Sequence, residues 1–345
     1  MTTRSVAWAC AVLAVGAACA RRGAATTPAP APFTTRVVAL PGGPAPVRMD
    51  YLAFDAATGS LWVPAGNTGN VDVLHTATGA LDVVAGFVTV VREVRGAQRT
   101  IGPSSASVGE GVVYVGDRAD ATVCALDATT RERRACVPVE SSPDGLAWVA
   151  ATRTLWVTAP SLPGLYIFPA DAAGALGTPR RVPLDAMPEG YAVDAARGIF
   201  YTNLEDGDAT LALDVHTFAV LSRWSPHCGT AGPRGLAFDA AHRRLFVACT
   251  DAVVAFDASN GAVLGRADTG AGVDSIAFDA ASQRVYAASG ATAMLRVLHV
   301  APGGALAVEA SIATGHGARA VVLDDRGRAY VADSEGARLL VVEPR

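Results

Sequence analysis

Short apolar segments alternate with polar turns along almost the whole chain, and one phrase recurs. In its fullest form, a segment of the pattern apolar-Ala-(Phe/Val)-Asp-Ala-Ala precedes a second apolar stretch. Four such copies lie at residues 52–63, 191–201, 236–247 and 276–286. A shortened copy lies at residues 321–331, and degenerate copies lie at residues 106–115 and 146–157. In the last four copies the shared aspartate recurs every 40 to 45 residues. Seven copies at this period predict a repeat array.

Each copy predicts two strands around a tight turn, and a third strand follows after a loop. The third strands are expected at residues 71–74, 123–126, 165–168, 210–213, 253–256, 295–298 and 339–342. A second turn then leads to a fourth strand, and no window has a helical period. Four short antiparallel strands per repeat predict a blade, so the chain is expected to be an all-β, seven-bladed β-propeller.

Counting strands indicates how the ring closes. The seventh repeat has only three strands before the chain ends, while residues 35–40 form an orphan strand before the first repeat. Pairing this strand with residues 339–342 completes the last blade and covers its exposed edge. The first repeat is longer than the others, and the surplus falls at residues 87–104, which predicts an extended hairpin or lobe there.

Composition removes several classes of partner. The chain has 345 residues, and its hydrophobic share of 51% supports a large core. Its 28 basic residues are all arginine, its net charge is −4, and no basic cluster exceeds three residues. Capture of nucleic acid or of an anionic membrane surface needs such clusters, so neither partner is expected.

The N-terminus has the pattern of an export signal. Residues 5–20 form an apolar run, too short to span a membrane, which predicts a signal peptide over residues 1–20. Two processing routes stay open, because a lipoprotein signal ending before Cys19 would instead leave that residue as the lipidation site. Residues 21–33, rich in Ala, Thr and Pro, predict a linker. We therefore expect an exported monomer of the periplasm, cell surface or extracellular space, with outer-membrane attachment only through that lipid.

Four cysteines follow this leader. Cys124 and Cys136 fall on the third and fourth strands of the second repeat, opposite one another across a short turn. Cys228 precedes the first strand of the fifth repeat and Cys249 ends its second strand, so both reach one face. No Cys-x-x-Cys metal motif occurs, and two disulfides are expected in an exported chain.

The second strands of three repeats end in related tetrapeptides. These are Tyr114-Val-Gly-Asp117, Phe200-Tyr-Thr-Asn203 and Tyr330-Val-Ala-Asp333. Together with the repeat phrase, they resemble the YVTN-type (YncE-like) seven-bladed β-propeller family. The resemblance covers residues 34–345 and implies a single propeller domain there. It implies little about activity, because such propellers serve as binding platforms, surface-layer modules and a few enzymes.

Polar residues are predicted to converge at one mouth of the axial channel, where the loops before first strands and after second strands meet. The first loops supply Arg48, Asp50, Asp144, Glu189, Arg234, Asp274 and Arg319, and the second supply Asn203, Glu205 and Asp333. Two interpretations stay open. The arginines form a pocket that grips a carboxylate or phosphate, or the charges pair between blades and plug the channel.

A metal-dependent enzyme is the alternative. Propeller lactonases of the gluconolactonase type hold one divalent cation with Glu, Asn and Asp side chains at this face. Here Asp50, Glu189, Asn203 and Asp274 are the candidate oxygen ligands for Ca²⁺ or another divalent cation. Their motifs do not align with this chain residue by residue, and the intervening arginines would repel a cation.

The sequence therefore favours a non-enzymatic binding or scaffold module without a cofactor. The chain has no Gly-x-Ser-x-Gly elbow, phosphate loop or His-Glu-x-x-His motif, and no complete catalytic set is recognisable. The expected partner is a small acidic ligand, a glycan or an envelope protein, held by the residues of the channel mouth.

Overall fold

The structure, a computed structural model, describes residues 1–2, 32–41, 45–94 and 96–345. Residues 32–345 form one compact unit. The predicted signal peptide, most of the linker and Cys19 lie outside the described residues. No helix in the described part of the chain has the length and apolar character needed to cross a membrane.

Seven four-stranded antiparallel sheets, here called blades 1 to 7, follow one another along the chain. The first strand, β1, covers Phe33–Ala39 and belongs to blade 7. Blade 1 contains β2 (Ala53–Asp55), β3 (Ser60–Ala65), β4 (Asn70–His75) and β5 (Leu81–Val84). An inserted hairpin of β6 (Val90–Val94) and β7 (Ala97–Ile101) follows. Blade 2 contains β8 (Pro103–Gly109), β9 (Val112–Asp117), β10 (Thr122–Asp127) and β11 (Arg133–Pro138).

The remaining blades repeat this order. Blade 3 contains β12 (Leu146–Val149), β13 (Thr154–Ala159), β14 (Gly164–Pro169) and β15 (Arg180–Pro183). Blade 4 contains β16 (Pro188–Asp194), β17 (Ile199–Leu204), β18 (Ala209–Asp214) and β19 (Val220–Trp224). Blade 5 contains β20 (Pro233–Asp239), β21 (Arg244–Cys249), β22 (Ala252–Asp257) and β23 (Val263–Asp268). Blade 6 contains β24 (Val273–Asp279), β25 (Arg284–Ser289), β26 (Met294–Val300) and β27 (Leu306–Ala313).

Blade 7 is completed from both ends of the chain. It contains β28 (Ala318–Leu323), β29 (Ala329–Asp333), β30 (Arg338–Pro344) and β1. The N-terminal strand pairs antiparallel with β30, from Phe33 opposite Pro344 to Ala39 opposite Arg338. The prediction of an all-β, seven-bladed propeller closed by the N-terminal strand is confirmed, and the only helices among the described residues are three 3₁₀ turns (Gly66–Thr68, Glu205–Gly207, Gly229–Ala231).

The recurring aspartate shapes the turn between the first and second strands of a blade. The Asp55 carboxylate accepts hydrogen bonds from the Ala57 backbone N–H at 3.0 Å and the Thr58 hydroxyl at 2.6 Å. Asp279 accepts a bond from the N–H two residues on in the same way. A short side chain that caps its own turn fixes the reversal locally, which explains why the phrase recurs.

The hydrophobic core is divided into seven layers, each between two neighbouring blades. Trp156 of blade 3, for example, stacks on Phe200 of blade 4 with ring centroids 4.5 Å apart. Phe246 of blade 5 packs on Phe278 of blade 6 at 4.9 Å. Since each blade buries both faces, the first strands of successive blades are held side by side around the axis.

Both predicted disulfides are present. Cys124 and Cys136 join β10 to β11 within blade 2, at directly opposite positions. Cys228 and Cys249 join the segment before β20 to the end of β21. The first disulfide joins an outer strand to a buried strand, and the second joins a connecting segment to a buried strand. Each disulfide therefore reinforces a single blade.

Candidate functional site

The loops before the first strands border several adjoining cavities at one end of the channel. One of them, here called the mouth cavity, has a volume of about 590 Å³. Its lining includes Asp50, Asp144, Glu189, Arg234, Asp274 and Arg319. Another, here called the hairpin pocket, measures about 260 Å³ and is lined by Arg48, Asp50 and Arg319 among others. Eight of the ten residues predicted at the channel mouth, Glu205 among them, therefore line one or both of these two cavities.

Arginines link these carboxylates into a network that spans several blades. The Arg118 guanidinium lies 3.1 Å from Asp50 and also pairs with Asp144. Arg319 lies 3.2 Å from Asp274 and 3.9 Å from Asp50. The Asp50 carboxylate thus lies between two guanidinium groups. Charges paired in this way hold the side chains in place around the mouth before any ligand arrives.

A second pair on the mouth involves Arg234. Its guanidinium lies 2.7 Å from the Glu205 carboxylate, and both side chains are only 16% exposed. Because Glu205 follows β17 and Arg234 lies in β20, the pair joins blade 4 to blade 5. The predicted pocket and the predicted inter-blade ion pairs are therefore built from the same residues.

Glu189 belongs to this cluster of acids and has no arginine bonded to it among the described residues. Its carboxyl accepts a 2.9 Å hydrogen bond from the Tyr51 hydroxyl, which in turn accepts one from the Gly190 N–H at 3.0 Å. Burial, with the negative charges of Asp274 and Asp50, raises the pKa of Glu189 to about 8. Burial also raises the pKa of Asp274, although the Arg319 charge opposes this shift. Glu189 is consequently protonated at neutral pH and can donate a hydrogen bond into the cavity.

Aromatic and aliphatic side chains form the floor beneath the charges. The rings of Tyr51 and Tyr191 stack with centroids 5.9 Å apart. Below the mouth, a third cavity of about 170 Å³ is lined by Leu52, Leu236 and Ile276 with these tyrosines. Most of the charged side chains therefore lie at the rim, and the space below offers mainly apolar contact.

Two predicted site residues line neither cavity. Asn203 is fully buried, and its side-chain nitrogen donates to the Arg234 carbonyl at 2.5 Å while its oxygen accepts from the Thr210 hydroxyl at 2.7 Å. Asp333 is also buried and accepts a 2.7 Å bond from Arg338. Both side chains turn into the blades, where they hold loops that carry the site.

The same geometry bears on the alternative metal set of Asp50, Glu189, Asn203 and Asp274. The amide oxygen of Asn203 already accepts the Thr210 hydroxyl, and Arg319 lies against two of the carboxylates. Within the part of the chain that the structure describes, no three His, Cys, Asp or Glu side chains are arranged to hold one ion. The residues present do not fit an oxygen-ligated divalent cation without rearrangement.

The inserted hairpin roofs the site. Arg92, Val94, Arg99 and Ile101 all line the mouth cavity. These four occupy alternate positions of β6 and β7, and Glu93 between them also lines the cavity, so mainly one face of the hairpin is turned toward the channel mouth. The sequence placed an extra element at residues 87–104, but its position over the charged ring is visible only in the structure.

Close contacts fix the base of this hairpin to the propeller. Phe87 is buried in the layer between blades 1 and 2, and its backbone N–H donates to the Gly69 carbonyl at 3.0 Å. The Arg133 guanidinium stacks over the Phe87 ring at 4.7 Å. At the other end, Gly102 packs so tightly on the Gly66 carbonyl that a side chain would not fit. The roof is thus held at both ends of its insertion.

Arg118 and Tyr51 are two residues of the channel mouth that sequence reasoning missed. Arg118 follows the Tyr-Val-Gly-Asp tetrapeptide directly, at a second-strand end, so the rule that found Glu205 could also have found it. Tyr51 precedes β2, between Asp50 and the first repeat phrase, and reads there as an ordinary apolar position. Its bond to Glu189, across 138 positions, leaves no mark in the sequence.

Comparison with known proteins identifies the fold alone. No family model matches the chain, and no curated protein is similar to it in sequence. A streptogramin B lyase structure is similar with a TM-score of 0.72 and 10% identity, over 91% of this chain and 98% of that one. Virginiamycin B lyase from Staphylococcus aureus is similar with a TM-score of 0.68 and 10% identity, over 91% of this chain and 100% of that one.

Other similar structures come from different functional settings. A chain in the mitotic checkpoint complex is similar with a TM-score of 0.72 and 16% identity, over 99% of both chains. The WD40 repeats of RRP9 are similar with a TM-score of 0.71 and 11% identity, over 90% of this chain and 97% of that one. A lyase and a WD40 protein thus share this architecture, and the chain is a seven-bladed β-propeller whose function has to be read from its own site.

Proposed function

We propose that this protein is a non-enzymatic recognition module of the YVTN type, which binds its ligand in the mouth cavity. The observation that carries the proposal is the roofed, charge-lined mouth. Loops from several blades and the inserted hairpin enclose about 590 Å³. A cavity of this size accepts a small acidic ligand or the end of a glycan, and the roof with its rim could contact an envelope protein.

The electrostatics support recognition more than turnover. Arg118 and Arg319 are held by carboxylates on either side, and Glu189 is a neutral donor at pH 7. A fixed set of donors and acceptors selects ligands at little cost in ordering. Export fits the two disulfides of the domain, which are compatible with an oxidising compartment.

Charge reversal at the mouth tests this proposal. Ligand-detected NMR against a panel of organic acids, sugar acids and oligosaccharides, with pull-down from an envelope fraction, identifies what the wild-type protein binds. Arg234→Glu combined with Arg319→Glu should abolish that binding, because both guanidinium groups face the mouth cavity. The matched control is Arg36→Glu with Arg223→Glu, two exposed ion-paired arginines on the outer strands of blades 7 and 4. Unchanged binding in the mouth variant would mean that the mouth is only a plugged channel.

A metal-dependent lactonase is the rival. It is tested by metal analysis of the purified protein together with turnover of a lactone panel in the presence of added calcium. A stoichiometric metal, with turnover that disappears in Asp274→Ala, would replace the recognition proposal by the enzyme.

A further inference from the structure

The hairpin pocket contains an arginine whose backbone is fixed and whose side chain has no carboxylate partner among the described residues. The backbone N–H of Arg48 donates to the Asn67 side-chain oxygen at 2.7 Å, and its carbonyl accepts from the Gly66 N–H at 2.8 Å. The Asn67 side-chain nitrogen in turn donates to the Pro46 carbonyl at 2.9 Å. The main chain is clamped on both sides, while Arg48 as a residue is exposed and lines the pocket.

A second arginine enters the same pocket from the hairpin. Arg99 lies directly opposite Arg92 in the β6–β7 pair, an arrangement in which like charges repel. Arg92 is engaged, because its guanidinium donates to the Ala119 carbonyl at 2.9 Å. Arg99 is half-buried and forms no ion pair or side-chain hydrogen bond with the residues that the structure describes.

The charges around the hairpin pocket leave a cationic excess. Arg118 and Arg319 also line it, but both are neutralised by carboxylates of the mouth. On the acidic side the lining has Asp50, which lies between those two arginines, and the exposed Glu335 at the rim. Two guanidinium groups, from blade 1 and from its inserted hairpin, therefore remain available for one anion.

The ligand that fits must also satisfy the mouth cavity, because the two spaces share Asp50, Val94, Arg99, Ile101, Arg118 and Arg319 as lining. Beyond the arginines, the mouth presents the carboxylates of Asp50 and Asp274, together with those of Glu93, Asp144 and Glu205. These groups accept hydrogen bonds and repel a second anionic group. A single negative charge at one end and hydroxyl groups at the other match both halves.

We infer that the hairpin pocket is an anion subsite, in which Arg48 and Arg99 bind the carboxylate or phosphate of a small hydroxylated ligand such as a sugar acid or a sugar phosphate. This inference rests on the proposed function and names the class of ligand that the mouth takes. The hydroxyl groups of the ligand extend from the subsite into the mouth cavity, toward Asp50 and Asp274.

The test is calorimetric titration of the full chain with glucuronate, glucose 6-phosphate and glucose. Binding of either anionic sugar, with glucose at least about tenfold weaker, is expected. Each of Arg48→Gln and Arg99→Gln should weaken the anionic sugar by about tenfold or more, since a charge-assisted bond is lost. The matched control is Arg326→Gln, an exposed arginine in the turn between β28 and β29, and all variants are checked for an unchanged melting temperature.

The two anionic probes separate the sources of the charge, and binding of either one with this arginine dependence supports the subsite. Equal affinity for glucose, or affinity unaffected by both substitutions, would overturn it. Failure of both anionic sugars to bind would overturn it as well. The recognition proposal falls separately, only if the Arg234→Glu and Arg319→Glu protein keeps every ligand and partner of the wild type.

Discussion

Glu189 predicts how the stability of this protein depends on pH. Its pKa of about 8 in the folded state compares with an ordinary value of 4.5, which the unfolded chain is expected to have. Between these two values the folded protein holds a proton that the unfolded chain has lost. The free energy of unfolding therefore falls as the pH rises from about 4.5 to about 8. Replacing Glu189 by Gln removes this loss of stability with rising pH. The glutamine keeps a side-chain oxygen that accepts a hydrogen bond from the Tyr51 hydroxyl.

The size of the effect follows from the linkage relation. One proton held by the folded state gives a slope of at most about 1.4 kcal/mol per pH unit. Since water reaches the mouth cavity, we expect about half of this slope, or roughly 2 kcal/mol between pH 5 and pH 8. Burial also raises the pKa of Asp72 to about 6, and of Asp117 to about 6, but both residues are present in wild type and variant alike. The difference between the two proteins therefore isolates Glu189.

Urea unfolding monitored by fluorescence of the four tryptophans within the propeller, at pH 5, 6, 7 and 8, measures this difference. The Glu189→Gln protein should gain stability over wild type as the pH rises. The exposed Glu110, which pairs with Arg153 on the outside of the propeller, supplies the control Glu110→Gln, which should parallel wild type. Parallel curves for wild type and Glu189→Gln would refute the assignment of a retained proton to Glu189.

Three further predictions concern the framework. Phe33→Ala should lower the free energy of unfolding by about 3 kcal/mol in urea titrations, because the ring is buried against Tyr286 with centroids 6.5 Å apart. Phe87→Ala should release the hairpin, so limited proteolysis is expected to cut within residues 88–102 while blades 1 to 7 stay intact; protection equal to wild type would contradict the anchoring described here. Replacing Cys228 and Cys249 together by Ala should cost about 3 kcal/mol, measured under non-reducing conditions against the wild-type protein, and a cost near zero would show that the bridge does not constrain the unfolded chain.

The fold could be predicted because its determinants are local and repeated. An aspartate that caps its own turn, as Asp55 and Asp279 do, specifies a reversal within three residues, and the copies add to the same signal. Ring closure was also predictable, since an orphan strand before the repeats and a missing strand after them match by count. Strand register followed from the short turn between two strands, as the facing positions of Cys124 and Cys136 illustrate.

The site was predictable in position but not in detail. Loop placement brought Asp50, Asp274 and Arg319 to one mouth, yet nothing local distinguishes them from Asn203, whose side chain turns inward to hold a neighbouring loop. The Arg118 contact with Asp50 joins residues 68 positions apart, so the pairing depends on the curvature of the whole ring. The path of the hairpin depends on the close approach of Gly102 to Gly66, which is a property of packing and not of pattern.

The pairing of β1 with β30 imposes an order on folding. Arg36 in β1 donates a hydrogen bond to Glu343 in β30, and the two residues are 307 positions apart in the chain. The strand synthesised first is therefore the last to find its partner. Until then the six layers between consecutive blades can assemble from neighbouring segments. The layer between blades 7 and 1 cannot, and β1 and the edge of β30 stay open to any other strand. The entropic cost of joining two such distant segments grows only slowly with their separation in sequence. This late step therefore slows folding more than it lowers the stability of the folded protein. Closure of the ring is therefore the moment at which this protein passes from a chain of locally stable blades to one cooperative unit.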